Sequence, residues 1–269
     1  MNLTIILFLA FFPILLISIL IYHRDKEKEP IHLLLSFFVL GILSCFLVIF
    51  LSKSMAKFLP FMKIEKKNMD FLNILLYSFI GVALLEEICK WIIVYFKGYK
   101  HKEFEETYDI IIYSVFVSLG FAFCENCFYI INSNTKLLSI VLRALSSVPG
   151  HTCNAIFMGY HFSMARQFKY QQNKKLERQS IILSIVIPVI LHGIYDFCTM
   201  SKYKILIITF FIFIIILYII SIKKIQKISK FNHKIEPENS FCAICGSKLE
   251  GTNCPKCNEK TDIYKEMKL

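Results

Sequence analysis

The stretch LLEEICKWIIVYF, residues 84–96, sets two adjacent glutamates and a lysine inside an apolar run. Its other residues would place a helix in hydrocarbon, where a charge near mid-span costs about 2.5–3.5 kcal/mol on insertion scales. Charges kept there face a protein interior or a watery cavity, and they mark function. Composition says whether the surroundings are a bilayer. Of 269 residues, 56% are hydrophobic, 26 are phenylalanine and 9 are glycine, which is too apolar for a water-soluble domain of this length.

A membrane-crossing helix needs about 20 mostly apolar residues. Seven segments meet that length: residues 2–22, 31–51, 71–96, 108–132, 137–168, 181–200 and 203–222. The expected fold is all-α, a polytopic transmembrane bundle over residues 1–222 followed by a small zinc-ribbon tail. The third and fifth segments are long enough to tilt, break or leave the bilayer. The first has no basic residue ahead of it and no small-residue cleavage site, so it reads as a retained anchor rather than a signal peptide. No internal repeat or low-complexity tract interrupts the chain.

Net charge is +11. In a membrane protein the placement of Lys and Arg reports orientation before it reports a partner, so no nucleic acid is expected. Basic residues concentrate in the loops on the tail's side, from Arg24, Lys26 and Lys28 through Lys97, Lys174 and Arg178 to Lys223 and Lys234. Lys53, Lys57, Lys63, Lys66 and Lys67 run against that bias. The expectation is an N-terminus outside, a cytoplasmic tail, and a basic juxtamembrane linker over residues 223–240 lying near anionic lipid.

Further charged and polar residues interrupt other spans: Glu125 with Asn126, Arg143, His151, and His192 with Asp196. Lys90 stands three and four residues from Glu87 and Glu86, within reach of one carboxylate on its helix face. Adjacent residues diverge by about 100° around a helix, which leaves the other glutamate for a partner helix. His192 and Asp196 share a face, so the aspartate orients the imidazole or joins it on a metal. Pro149 and Gly150, just before His151, should break the fifth helix, and irregular backbone at membrane depth must line protein or water. Together these residues describe a polar chamber inside a bundle.

Carboxylates, histidines and a lysine with no obvious nucleophile suit hydrolysis. A carboxylate draws a proton from water, and a histidine or metal stabilises the oxyanion. No H-E-x-x-H helix is present, Ser146 and Ser147 lack a G-x-S-x-G setting, and no second aspartate motif accompanies Asp109 or Asp196. The alternative from another class is a non-enzymatic transporter or sensor whose buried charges form an ion pathway or a structural network.

Four stretches carry a resemblance: EEICK (86–90), YDIIIYSVFVSLGFAFCENCFY (108–129), RALSSVPGHTCNAIFMGY (143–160) and HGIYD (192–196). In this order they resemble the motifs of the PrsW family of intramembrane proteases, similar in layout to the CPBP group that includes the type II CAAX-prenyl proteases. The resemblance spans about residues 84–200. It implies a multi-pass peptidase of the bacterial cytoplasmic membrane that cuts the extracytoplasmic part of a single-span anti-sigma factor in a stress response. It also implies that Glu86 and Glu87 supply carboxylates, one as general base, that Glu125, His151 and His192 complete the site, and that Asp196 orients or ligates. Lys90, Asn126 and Arg143 would support them. Glu125, His151 and His192 make a plausible zinc set and equally a metal-free acid/base site, and both stay open here.

The tail adds CAICGSKLEGTNCPKC, in which Cys242, Cys245, Cys254 and Cys257 form two C-x2-C pairs. Four thiolates at these spacings resemble a short zinc ribbon with a structural zinc, which a segment this small needs in place of a core. Cys124 and Cys127 repeat the spacing on an apolar helix and are read as packing residues.

Overall fold

The computed structural model describes residues 3–64, 69–132, 137–201, 203–230, 232, 247 and 256. The four ribbon cysteines, Cys242, Cys245, Cys254 and Cys257, lie outside the described residues. Among the described residues the long elements are helices and no strand occurs. We number them α1 (Leu3–Arg24), α2 (Ile31–Met55), α3 (Phe71–Tyr99), α4 (Asp109–Asn132), α5 (Leu137–Tyr170), α6 (Lys174–Met200) and α7 (Lys204–Lys230). Over the described residues each of the seven expected segments is helical but for an end residue. Of them, α2, α3, α4, α6 and α7 are long and apolar enough to cross a membrane. In α5, His151, Asn154 and His161 are buried, so these three face protein.

Burial separates centre from periphery. In α4, 83% of the apolar window is covered by protein, against 17% in α7. Lipid is as apolar as leucine, so close backbone approach and van der Waals packing, rather than the hydrophobic effect, hold such helices together. The crossing of α2 and α4 uses this device on both sides. A Cβ on Gly41 would overlap the Val117 carbonyl, and one on Gly120 would overlap the Phe38 carbonyl. Phe37 and Tyr113 stack beside the crossing, with centroids 4.6 Å apart. Because backbone cannot swing aside as a side chain can, Gly41→Ala or Gly120→Ala should destabilise the purified protein by about 1–3 kcal/mol. Thermal melts in detergent check this, and melting temperatures unchanged from wild type would show that the helices separate freely here.

Pro149 does not break its helix. α5 runs from Leu137 to Tyr170 through it, contrary to the expectation from sequence. A proline lacks the N–H that would bond the carbonyl four residues back, which here is that of Leu145. The Tyr218 hydroxyl on α7 donates to the Leu145 oxygen at 3.0 Å and reaches the Ser146 oxygen at 3.2 Å. A partner helix thus satisfies the freed group, as membrane helices require.

One end of the bundle is tied together by polar contacts. Ser229 donates to the Arg24 carbonyl at 2.8 Å, Tyr108 to the Ile21 carbonyl at 3.1 Å, and Asn232 accepts from the Tyr108 N–H at 3.0 Å. The α1–α2 turn, the α3–α4 turn and the end of α7 therefore meet on one side.

Candidate active site

Within α3, wider π-helical turns at Tyr77–Leu84 and Val94–Tyr99 flank a regular α segment, Leu85–Ile93. Such widened turns concentrate at functional sites. In the regular segment Lys90 lies about 40° round the helix from Glu86 and about 60° from Glu87, on the arc between them. Its Nζ accordingly sits 2.9 Å from Glu87 Oε1 and 3.4 Å from Glu86 Oε2. The expectation that the lysine would neutralise only one glutamate is corrected: it bridges both.

A second imidazole-centred bridge comes from α6. His192 Nδ1 is 2.8 Å from Glu87 Oε1, and its Nε2 faces Glu86 Oε2 at 3.8 Å and Asp196 Oδ2 at 3.6 Å. Asp196 shares the His192 face, as the spacing requires, but the shorter contact that fixes the ring comes from Glu87. Gly193 makes room for this arrangement by letting the Phe79 ring lie against the α6 backbone.

α4 and α5 close the other side. Lys90 Nζ lies 3.1 Å from His151 Nδ1, and His151 Nε2 lies 3.0 Å from Glu125 Oε2. An ammonium only donates, so Nδ1 accepts and Nε2–H donates to Glu125. Ser118 holds the same turn of α5 by donating to the His151 carbonyl at 2.9 Å. Glu125 Oε1 in turn meets Arg143 Nη2 at 2.9 Å, and the guanidinium lies 3.5 Å from the centre of the Tyr129 ring. Phe121, one helical turn before Glu125, offers its ring face to Lys90 Nζ at 4.1 Å. His151 and His192 meet edge to face with centroids 5.2 Å apart. Asn126 is buried next to Glu125 in the chain.

The structure thus brings Glu86, Glu87, Lys90, Glu125, Arg143, His151, His192 and Asp196 into one network drawn from four helices. A cavity of about 970 Å³ opens onto it. Glu86, Glu125, Arg143, His151, His192 and Asp196 line this cavity, whereas Glu87 and Lys90 stand behind the wall. Tyr129 also lines it, as do Tyr77 and Tyr195. The Tyr195 hydroxyl is 2.8 Å from Ser146 Oγ. Its place beside Asp196 in HGIYD was the one signal in the sequence that could have marked it.

Metal-ligand chemistry is also present. Glu86, His151 and His192, all buried, each offer a ligand atom within 4.8 Å of the others. Two imidazoles and a carboxylate are a donor set of hydrolytic zinc sites. Carboxylates behind both rings, Glu87 on His192 and Glu125 on His151, are the outer partners such ligands use. Glu125, expected among the ligands, is held by Arg143 and backs His151, and Glu86 stands third in the close group. Lys90 shares the Nδ1 side of His151.

Residues 29–222 match the PrsW family of intramembrane metalloproteases. The chain belongs to the PrsW family. It is 35% identical to a Protease PrsW of Clostridioides difficile over 208 residues, which cover 76% of this chain and 83% of that protein. Proteins of the same name from Oceanobacillus iheyensis and Bacillus subtilis are 34% and 32% identical, over 69% and 71% of this chain and 78% and 82% of theirs. No solved structure matches the chain. Membership of the PrsW family makes the protein a multi-pass membrane peptidase, and the substrate of such an enzyme is a membrane protein.

Proposed function

We propose that this PrsW-family protein hydrolyses a peptide bond in a single-span regulator of the anti-sigma-factor kind, with Glu86 as general base. The observation that carries the reading is the division of the glutamate pair: Glu86 lines the cavity and Glu87 does not. A general base must reach the proton that it takes. Glu87 is already committed to Lys90 and His192, so its part is to position both.

The 3.8 Å between Glu86 Oε2 and His192 Nε2 leaves room for a water that touches both. Glu86 takes a proton from this water as its oxygen bonds to the scissile carbonyl carbon. The same carboxyl then gives the proton to the amine nitrogen as the C–N bond breaks. His192, held by Glu87, and Arg143, held by Glu125, stand as donors to the developing oxyanion. In a zinc-loaded site Glu86, His151 and His192 would instead hold the ion, which when bound polarises a carbonyl and makes water more acidic; the base role of Glu86 and the donor role of His192 belong to the metal-free site.

Access supports cleavage toward one face. Besides the polar network, the cavity reaches Ser52 and Lys53 near the end of α2 and Met200 and Ser201 at the end of α6. These lie at the end of the bundle opposite the Arg24–Ser229 contact. With the N-terminus outside and the tail in the cytoplasm, as the basic loops imply, that face is the extracytoplasmic side of a bacterial inner membrane. For the tail, Cys242, Cys245, Cys254 and Cys257 would close a structural zinc by their spacing.

The test is cleavage of a tagged single-span anti-sigma-type protein by purified enzyme in lipid, with and without a zinc chelator, before and after deletion of residues 241–269. A product cut on the extracytoplasmic side is expected, and chelator sensitivity that survives the deletion places the metal in the bundle. Folded enzyme that leaves several such substrates whole, or cuts them on the cytoplasmic side, refutes the assignment.

A further inference from the structure

Away from the peptidase network, at the tied end of the bundle, three acidic side chains converge from two turns. Asp25 follows α1, Glu106 precedes α4, and Asp109 opens α4. One carboxylate oxygen from each lies within 4.8 Å of those of the other two, and the three residues are 3%, 7% and 2% exposed. Glu29, 7% exposed, adds a fourth buried carboxylate from the same turn as Asp25.

Some of these oxygens have work already. Asp109 Oδ2 accepts from the backbone N–H groups of Glu105 and Glu106 at 2.9 and 2.7 Å, which closes the turn ahead of α4. Glu106 accepts from the Asn232 amide. Asp25 is different. It is 97% buried, one of its oxygens belongs to the group, and neither carboxylate oxygen has a hydrogen-bond partner of normal geometry, the backbone N–H groups of Lys26, Glu27 and Glu29 being its nearest polar neighbours in the turn. Lys28, the nearby cation, gives its ammonium to the carbonyl oxygens of Tyr22 and Asp25, both at 2.5 Å. Among the described residues, neither Asp25 nor Asp109 is ion-paired to a lysine, arginine or histidine.

Buried charges are paired or coordinate a metal. We propose that Asp25, Glu106 and Asp109 bind a hard divalent cation, magnesium or calcium, which ties the α1–α2 turn to the start of α4. The donor chemistry sets the class. Oxygen ligands alone suit magnesium and calcium, whereas the imidazole-bearing group in the bundle suits zinc. Position sets the consequence: the site joins two turns on the side where the end of α7 is also tied down by Asn232. It is independent of the active-site assignment, with which it shares no residue.

Terbium, which replaces calcium at oxygen sites and is excited through nearby tyrosines, is the probe. Tyr108 and Tyr113 are both fully buried at this end of α4 and serve as donors. Titration of the full-length protein in detergent should give saturable emission that millimolar magnesium or calcium displaces. Asp25→Asn should weaken terbium binding at least tenfold, and His192→Asn, which strips the other group, should leave it unchanged. Asp25→Asn removes no hydrogen bond of normal geometry, so it should fold, and in chelator it should melt above wild type because one buried like charge is gone. Should that variant fold poorly, wild type and His192→Asn still provide the test, since both should gain melting temperature with magnesium or calcium. Unsaturable emission, emission indifferent to Asp25→Asn, loss in His192→Asn, or melting temperatures indifferent to both cations would overturn the site.

Discussion

Glu86→Gln should lower the rate of substrate cleavage by about 10²–10⁴-fold, the usual contribution of a positioned general base, while the protein stays folded. Glutamine keeps the shape of the side chain, and its carbonyl oxygen still accepts from Lys90 across the 3.4 Å that separates the groups. What disappears is the basic oxygen lining the cavity. The Lys90 ammonium retains its closer partner, Glu87 at 2.9 Å, so the network remains charge-paired and the melting temperature should stay near that of wild type. Initial rates in lipid, with thermal melts of the same preparations, provide the comparison. Near-normal cleavage by Glu86→Gln, with complete loss in a well-folded Glu87→Gln, would transfer the base to Glu87.

The largest loss of stability should come from Lys90→Met. Lys90 is 1% exposed, and its ammonium is surrounded by Glu86, Glu87, His151 and the face of Phe121. Removing one member of a buried ion pair leaves its partner charged in a medium that solvates charge poorly, at about 3–5 kcal/mol. For a chain of this size that corresponds to a fall on the order of 10 °C in melting temperature. Methionine nearly preserves the volume, which confines the change to charge. The double variant Glu87→Gln, Lys90→Met should recover part of the loss, because it removes an anion together with the cation. If the double variant is no more stable than Lys90→Met alone, the ammonium and the Glu87 carboxylate are not energetically coupled, and Lys90 acts through packing.

These two outcomes separate groups that neighbour each other in the chain and do different things. Glu86 and Glu87 differ by one position, and the roughly 100° between them turns one to the cavity and the other toward Lys90 and His192. Lys90 can serve both because it falls on the arc between them.

Sequence alone determined the solvent and the rods. A chain 56% hydrophobic must satisfy its backbone internally once in lipid, which leaves helices for its long apolar runs, and the seven segments are helical as their length and composition require. It also picked out the interrupting residues, because a carboxylate or imidazole in an apolar run has few reasons to be there. Tertiary structure decided the contacts that local periodicity does not encode. Whether Pro149 breaks α5 depended on the Tyr218 hydroxyl of another helix, 69 residues later in the chain, which takes up the Leu145 carbonyl. Which glutamate faces the cavity, that Glu87 rather than Asp196 makes the closest contact to His192, and that Tyr129 carries the Arg143 guanidinium were set by the packing of α3, α4, α5 and α6. The convergence of Asp25 with Glu106 and Asp109 likewise needed the chain to return. Helical periodicity reports only neighbours within one turn of the same helix, and every one of these contacts joins residues that the sequence keeps far apart.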